Sequence, residues 1–144
     1  MASNTPRNFK HPLPGRNIPD PAEVRMILPD QLLNVCKDTG RFTRLNWNGL
    51  NLVIRRMIDL DEMSQLVGMV LDGCWNENMY MKELMDFMFR CAVVTYYSNV
   101  YLPENNEMRY KIVYETDLYD TVKDNINEGQ FAAIESAVKM YIGE

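Results

Sequence analysis

The sequence is poor in the residues that most enzyme chemistry relies on. Its one histidine, His11, lies among prolines near the N-terminus, so neither a Ser-His-Asp nor a Cys-His arrangement has a base to work with. The three cysteines, Cys36, Cys74 and Cys91, show no CxxC spacing, whereas a zinc site of the Cys/His type needs four ligands in tight pairs. Reduced thiols of this kind suit a cytosolic protein. Glycine-rich loops are missing too: there is no GxGxxG, no Walker-type loop ending in lysine and no GxSxG, so nucleotide and acyl-transfer chemistry have no local signature. The opening MASNTPRNFK has no apolar run, which predicts no signal peptide. Glu83, Asp86 and Arg90 interrupt the most apolar stretch, leaving it well short of the roughly 20 residues a membrane span needs. These absences predict a protein that is not an enzyme and has no cofactor, metal or membrane span.

What the sequence does contain is organised around Met79–Leu102. Apolar residues recur there at helical spacing through Tyr80, Leu84, Phe87, Met88, Cys91, Val94 and Thr95. A second set, with Met81, Met85, Phe89, Ala92, Val93 and Tyr96, fills most of the other side. A helix apolar nearly all round is a core helix. Its last third, from Tyr96, is expected to leave the core and reach the surface. Eleven methionines point to a core with irregular gaps, or to an adaptable binding surface.

Residues 1–30 differ in kind. They hold six of the seven prolines, which exclude a long helix or central strand and favour extended chain. Yet Phe9, Leu13 and Ile18 are spaced along the segment, more apolar content than a solvated tail requires. This predicts an extended arm lying on a surface, its own or a neighbour's, with a turn of helix at Pro21–Met26 begun by Asp20. Residues 31–144 are then one domain, mainly α, with five or six helices around the central one. Its first helix runs Gln31–Lys37 and ends at Gly40.

Asn48-Gly49 predicts a type I′ hairpin within 41–58, with Leu50, Leu52 and Ile54 on one face. Its other side would show Arg41, Arg44 and Arg55 or Arg56, with Trp47 beside them as a stacking platform. Asp59 and Glu62 form a predicted capping box for a helix reaching Trp75. Gly68 and Gly73 inside it cost about 1 kcal/mol each relative to alanine and suggest close approach of another helix. Further helices are predicted over 104–115, with Met108, Ile112 and Val113 inward, from Thr116 or Asp117 through Leu118, Val122 and Ile126, and from an Asn127/Gln130 capping box through Phe131, Ile134, Val138, Tyr141 and Ile142 to Gly143.

Charge is divided along the chain. Residues 1–58 carry +5 and residues 59–144 carry −10, for a net −5. Such a division suits head-to-tail contact with copies of the same chain, or docking between partners of unlike charge. Overall acidity argues against nucleic acid as a partner. Tyr96, Tyr97, Tyr101, Tyr110, Tyr114 and Tyr119 crowd the end of the central helix and the acidic segment after it. Tyrosine beside carboxylate is a chemistry of interfaces. The candidate partner-binding residues are therefore Phe9, Leu13 and Ile18 in the arm, Arg41, Arg44, Trp47, Arg55 and Arg56 in the hairpin, and Tyr97, Tyr101, Glu107, Tyr114, Asp117, Tyr119 and Asp120 on the acidic side.

The runs YYSNVYLP from Tyr96, IVYETDLYDTV from Ile112 and NEGQFAAI from Asn127 together resemble small helical proteins encoded by tailed bacteriophages. The resemblance spans about residues 50–142. It implies a protein that acts by binding, located in the virion or the host cytoplasm. The first expectation is a non-enzymatic structural or assembly protein whose arm reaches a neighbouring subunit. The second is an inhibitor of a host defence protein through the acidic, tyrosine-rich face, and the third a nucleic-acid accessory protein using the basic hairpin.

Overall fold

The computed structural model describes residues 25–36, 41–76 and 79–142. The arm residues Phe9, Leu13 and Ile18, most of the turn expected at Pro21–Met26, the Gly40 cap and the Gly143 stop lie outside them. The chain divides into two units, Met1–Thr39 and Gly40–Glu144. Among the described residues the structure is mainly helical, with six helices and one two-stranded antiparallel hairpin of any length.

In the first unit, α1 spans Pro29–Cys36. It starts two residues before the predicted Gln31 because Pro29 suits the first helical position. The Gln31 side chain also turns back to accept the Leu28 N–H at 2.8 Å.

The second unit opens with the hairpin. Strand β1, Phe42–Trp47, pairs with β2, Leu50–Arg55, one residue to one from Phe42↔Arg55 to Trp47↔Leu50. Asn48 and Gly49 both take positive φ, 54° and 81°, as the type I′ turn requires. The alternation turns Thr43, Leu45, Trp47, Leu52 and Ile54 to one face and Phe42, Arg44, Asn46, Val53 and Arg55 to the other. Leu52 and Ile54 are buried, while Leu50, at the turn, is exposed.

Helix α2, Leu60–Gly73, begins with the predicted capping box: Asp59 accepts from the Glu62 N–H at 2.8 Å and Glu62 accepts from the Asp59 N–H at 3.2 Å. It stops short of Trp75, because Trp75–Asn76 (β3) pairs antiparallel with Met79–Tyr80 (β4) and the Met81 N–H returns to the Cys74 carbonyl at 2.6 Å. The central helix is therefore shorter than Met79–Leu102. A 3-10 turn at Lys82–Leu84 leads into α3, Met85–Tyr97. Seven of its thirteen residues are buried, and α3 packs on α2 and on the helices that follow. Met88 of α3 fills the space over Gly73, where a Cβ would meet its side chain at 2.3 Å. Gly68 faces open space instead, so only one of the two glycines marks a close approach within this unit.

The chain leaves α3 at Ser98 for a reason the apolar pattern does not contain. Ser98 takes extended φ and ψ and its hydroxyl donates back to the Val94 carbonyl at 2.7 Å. Asn99 then serves as a strand for β2. Its side chain accepts the Val53 N–H at 3.0 Å and donates to the Asn51 carbonyl at 3.0 Å, and its own N–H reaches the Val53 carbonyl at 3.1 Å.

Helix α4, Asn106–Glu115, is capped by Asn105, which accepts from the Met108 N–H at 3.0 Å. It buries Val113 alone; Met108, expected inward, is 53% exposed. Helix α5, Leu118–Lys123, is entered through Thr116, whose hydroxyl accepts the Leu118 N–H, while Asp117 makes no capping bond. Leu118, Val122 and Ile126 are buried as their spacing predicts. Helix α6 is Glu128–Ile142, with Phe131, Ile134 and Val138 inward and Tyr141 exposed.

Half of the Asn127/Gln130 box forms: Asn127 accepts the Gln130 N–H at 2.9 Å. The Gln130 side chain does not turn back. It enters the core, accepts from the Ile58 N–H at 2.9 Å and the Tyr97 hydroxyl at 2.6 Å, and donates to the Ile58 carbonyl at 2.9 Å. One amide thus satisfies both backbone groups of Ile58, as a neighbouring strand would.

Candidate interaction surface

On the hairpin, the predicted basic and aromatic patch is split by the strand alternation. Arg44 and Arg55 point to one side and Trp47 to the other. The indole N–H of Trp47 donates to Asp117 at 2.8 Å, which commits that ring to holding the hairpin on the loop before α5. Arg55 is spent as well: its two terminal nitrogens meet the two Glu62 oxygens at 2.7 Å each. These bonds hold the Glu62 carboxyl well below its ordinary range, at about 2, and raise Arg55. Arg41, Arg44 and Arg56 stay exposed with no ion pair among the described residues. Arg44 lies over the Phe42 ring at 5.8 Å.

The tyrosines also separate. Tyr97 has no exposed surface and Tyr119 is buried, which corrects their expected place on a partner-facing side. Tyr97 is the last residue of α3 and turns inward to Gln130, and Tyr119 lies on the inner face of α5. Tyr101, at 94%, is the most exposed large hydrophobic side chain among the described residues, so the chain does reach the surface after α3. Glu107 and Asp120 are exposed, each in the first turn of its helix.

Tyr114 is the predicted residue around which a surface assembles. Its hydroxyl donates to Asp86, whose same oxygen accepts from Arg90 Nε at 3.0 Å. The Arg90 guanidinium lies between two rings, 4.6 Å from the centres of both Tyr114 and Tyr119. Tyr110 packs on Tyr114 at 4.8 Å, and Phe87 lies 6.4 and 6.5 Å from the two rings. Asp86, Phe87, Arg90 and Tyr110 were not among the candidates. The i,i+4 pairs Asp86/Arg90 and Tyr110/Tyr114 were visible, but nothing in the sequence aligns one pair with the other across α3 and α4.

Burial, then the hydrogen bond to Asp86, pushes the Tyr114 phenol up to about 12, and burial does the same for Tyr119. Both therefore stay neutral at physiological pH and cannot serve as bases. Burial opposes the Arg90 charge, but Asp86 outweighs it and holds the guanidinium protonated. The cluster is cross-braced and partly exposed. It can offer flat ring faces and a carboxylate to a partner side chain, with little rotamer entropy left to lose.

Two apolar depressions complete the surface. One, about 410 Å³, lies between α2 and α6 and includes Leu60, Val67, Gly68, Leu71, Ala137 and Tyr141. The other, about 350 Å³, lies where Trp47, Leu50 and Leu52 meet Val100, Ile112 and Leu118. Among the described residues no group of three or more His, Cys, Asp or Glu could hold a metal ion. No helix there is long and apolar enough to cross a membrane. Cys74 and Cys91 are buried, and burial pushes both thiols up. No family model, no curated protein and no solved structure matches the chain.

Proposed function

We propose that this chain is a non-enzymatic structural or assembly protein of a tailed bacteriophage, a minor virion component that works through protein–protein contacts. The observation that carries the reading is the Phe87–Tyr110–Tyr114 ring cluster. Asp86 and Arg90 hold it in place and it stays partly exposed, as a preorganised contact face would. The charge division along the chain and the apolar residues of segment 1–30 support the same reading. That segment is proposed to reach a neighbouring subunit. Mass spectrometry of purified virions against infected-cell lysate tests it. Recovery in virions at a fixed ratio to a capsid or tail protein is expected. A monomer found only in lysate, with residues 1–30 open to protease, would sink it.

A second reading is favoured by the same cluster and its acidic neighbours: inhibition of a host defence protein through this face. Reversing the charge of Glu107 and Asp120, whose side chains make no hydrogen bond or ion pair among the described residues, would abolish such inhibition in infected cells. Unchanged activity would dismiss it. Asp117 is unsuited to this test because it also holds Trp47.

A further inference from the structure

The two edges of the hairpin are treated differently. Along β2 and the residues just after it, several backbone groups are closed from within the fold. Asn99 takes the Asn51 carbonyl and both groups of Val53, the Asn127 N–H takes the Arg56 carbonyl at 2.9 Å, and Gln130 takes both groups of Ile58. Along β1 nothing comparable happens. The Arg56 N–H to Arg41 carbonyl bond and the two-residue turn fix which residues bond across the hairpin: Arg41, Thr43, Leu45 and Trp47 face β2. The N–H and C=O groups of Phe42, Arg44 and Asn46 therefore point away. Among the described residues no backbone group meets them.

This edge is also built unlike a protected one. Natural edges are blunted by proline, by a bulge, by shortness or by charge. β1 has six residues, no proline and an unbroken one-to-one register. Arg44 is its single charge, and Phe42 is an exposed ring on the same side.

We infer that the β1 edge pairs with β1 of a second copy, antiparallel about a two-fold axis at Thr43, to give a four-stranded sheet in the order β2-β1-β1-β2. Outward-facing groups meet only when even-numbered residues pair, which leaves few registers. Centring on Arg44 sets guanidinium against guanidinium, a like-charge pair that opposes association. Centring on Thr43 sets Phe42 against Arg44 twice. Each arginine then faces the partner's ring, as it already faces its own, and the two threonines oppose each other, a favourable cross-strand pair. A second copy brings a strand that is already extended, so little ordering is required on association. The interface is narrow and belongs with the weak, concentration-dependent ones. It rests on neither reading of the preceding section, and the presence of the protein in virions does not test it.

Sedimentation of the full chain over rising concentration tests the inference, together with Arg44→Pro. Proline at 44 removes one outward N–H that the hairpin does not use, a change an edge strand tolerates. It is expected to weaken the dimer at least about tenfold. A second measurement covers the case in which that variant folds poorly. In a Cys36→Ser background, Thr43→Cys should form a disulfide between copies on air oxidation. The paired Cα atoms would lie about 4.5 Å apart, within the range a disulfide spans. Asn46→Cys should not cross-link, since its two copies would sit about 20 Å apart. A chain that stays monomeric, or a dimer in which Asn46→Cys links and Thr43→Cys does not, overturns the proposal.

Discussion

Replacing Gln130 with leucine keeps the side-chain size nearly constant while removing every hydrogen bond that side chain makes. Four groups lose a partner: the N–H and C=O of Ile58, the hydroxyl of Tyr97 and, more weakly, the Met63 sulfur. Gln130 is only 9% exposed and Tyr97 has no exposed surface, so water reaches them poorly. A buried group left unpaired costs about 1–3 kcal/mol, and leucine recovers some of this through its own apolar burial. The expected loss is roughly 3–5 kcal/mol, a large part of the roughly 5–15 kcal/mol that holds a domain together. Urea unfolding followed by circular dichroism measures it. The reasoning makes a sharper demand through a double-mutant cycle. Tyr97→Phe alone removes one hydrogen bond and costs about 0.5–1.5 kcal/mol. Added to Gln130→Leu it removes an orphaned hydroxyl, so the double variant should lose about 1–2 kcal/mol less than the sum. Gln130→Glu supplies a check on sign. A carboxylate there can accept from Ile58 and Tyr97 but cannot donate to the Ile58 carbonyl, and burial raises its pKa. That variant should be most stable in acid and lose stability as pH rises through the raised value. Additive losses in the cycle, or a cost below about 1 kcal/mol for Gln130→Leu, would refute the account.

Three further outcomes follow from particular contacts. Arg55 lowers Glu62 from an ordinary 4.5 to about 2, so the stabilisation from this pair is complete above about pH 4.5 and fades as pH falls towards 2. With 35% and 26% of the two side chains exposed, solvent screening leaves roughly 1 kcal/mol, read as the urea-midpoint gap between wild type and Glu62→Gln at pH 7 and its closure in acid. Gly73→Ala should destabilise by about 1–2 kcal/mol, since its Cβ displaces Met88, whereas Gly68→Ala meets open space and should stabilise by up to about 1 kcal/mol; melting temperatures decide between them. The Tyr80 hydroxyl is buried with no partner among the described residues, so Tyr80→Phe should leave stability unchanged or raise it by about 1 kcal/mol in the same melts.

The parts of the fold legible in the sequence were those set by short-range chemistry. Asn48-Gly49 named its turn, Asp59 and Glu62 named their capping box, and Leu118, Val122 and Ile126 named an inward face. What failed was set by hydrogen-bond partners that apolar spacing does not show, most of them far away in the chain. The central run read as helix from Met79 to Leu102, but both ends left the helix to hydrogen-bond elsewhere, Met79–Tyr80 with Trp75–Asn76 and Asn99 with β2. Gln130 carried a capping signal three residues after Asn127, and that signal concealed its larger role, because the partners lie at Ile58 and Tyr97. The candidate surface divided in the same way. Tyr101, Tyr114, Glu107 and Asp120 lie where a partner could meet them, whereas Tyr97 and Tyr119 were drawn inward by neighbours that no local spacing reveals.

These long-range amides also separate stability from surface. The Asn99 and Gln130 side chains and the Asn127 main-chain N–H come from two places in the chain and pair with backbone groups of β2 and the residues after it. The Asn99 and Gln130 side chains would be costly to remove, because the backbone groups they serve would lose their partners. The β1 edge carries no such debt: among the described residues, the outward backbone groups of Phe42, Arg44 and Asn46 meet no partner. Substitutions at Phe42 and Arg44 that preserve strand geometry should therefore change association without changing the unfolding midpoint. Substitutions at the β2-side amides should lower the midpoint whatever the chain binds. A variant series built on that division can assign a loss of function in cells to a lost contact or to a lost fold, because the two sets of residues do not overlap.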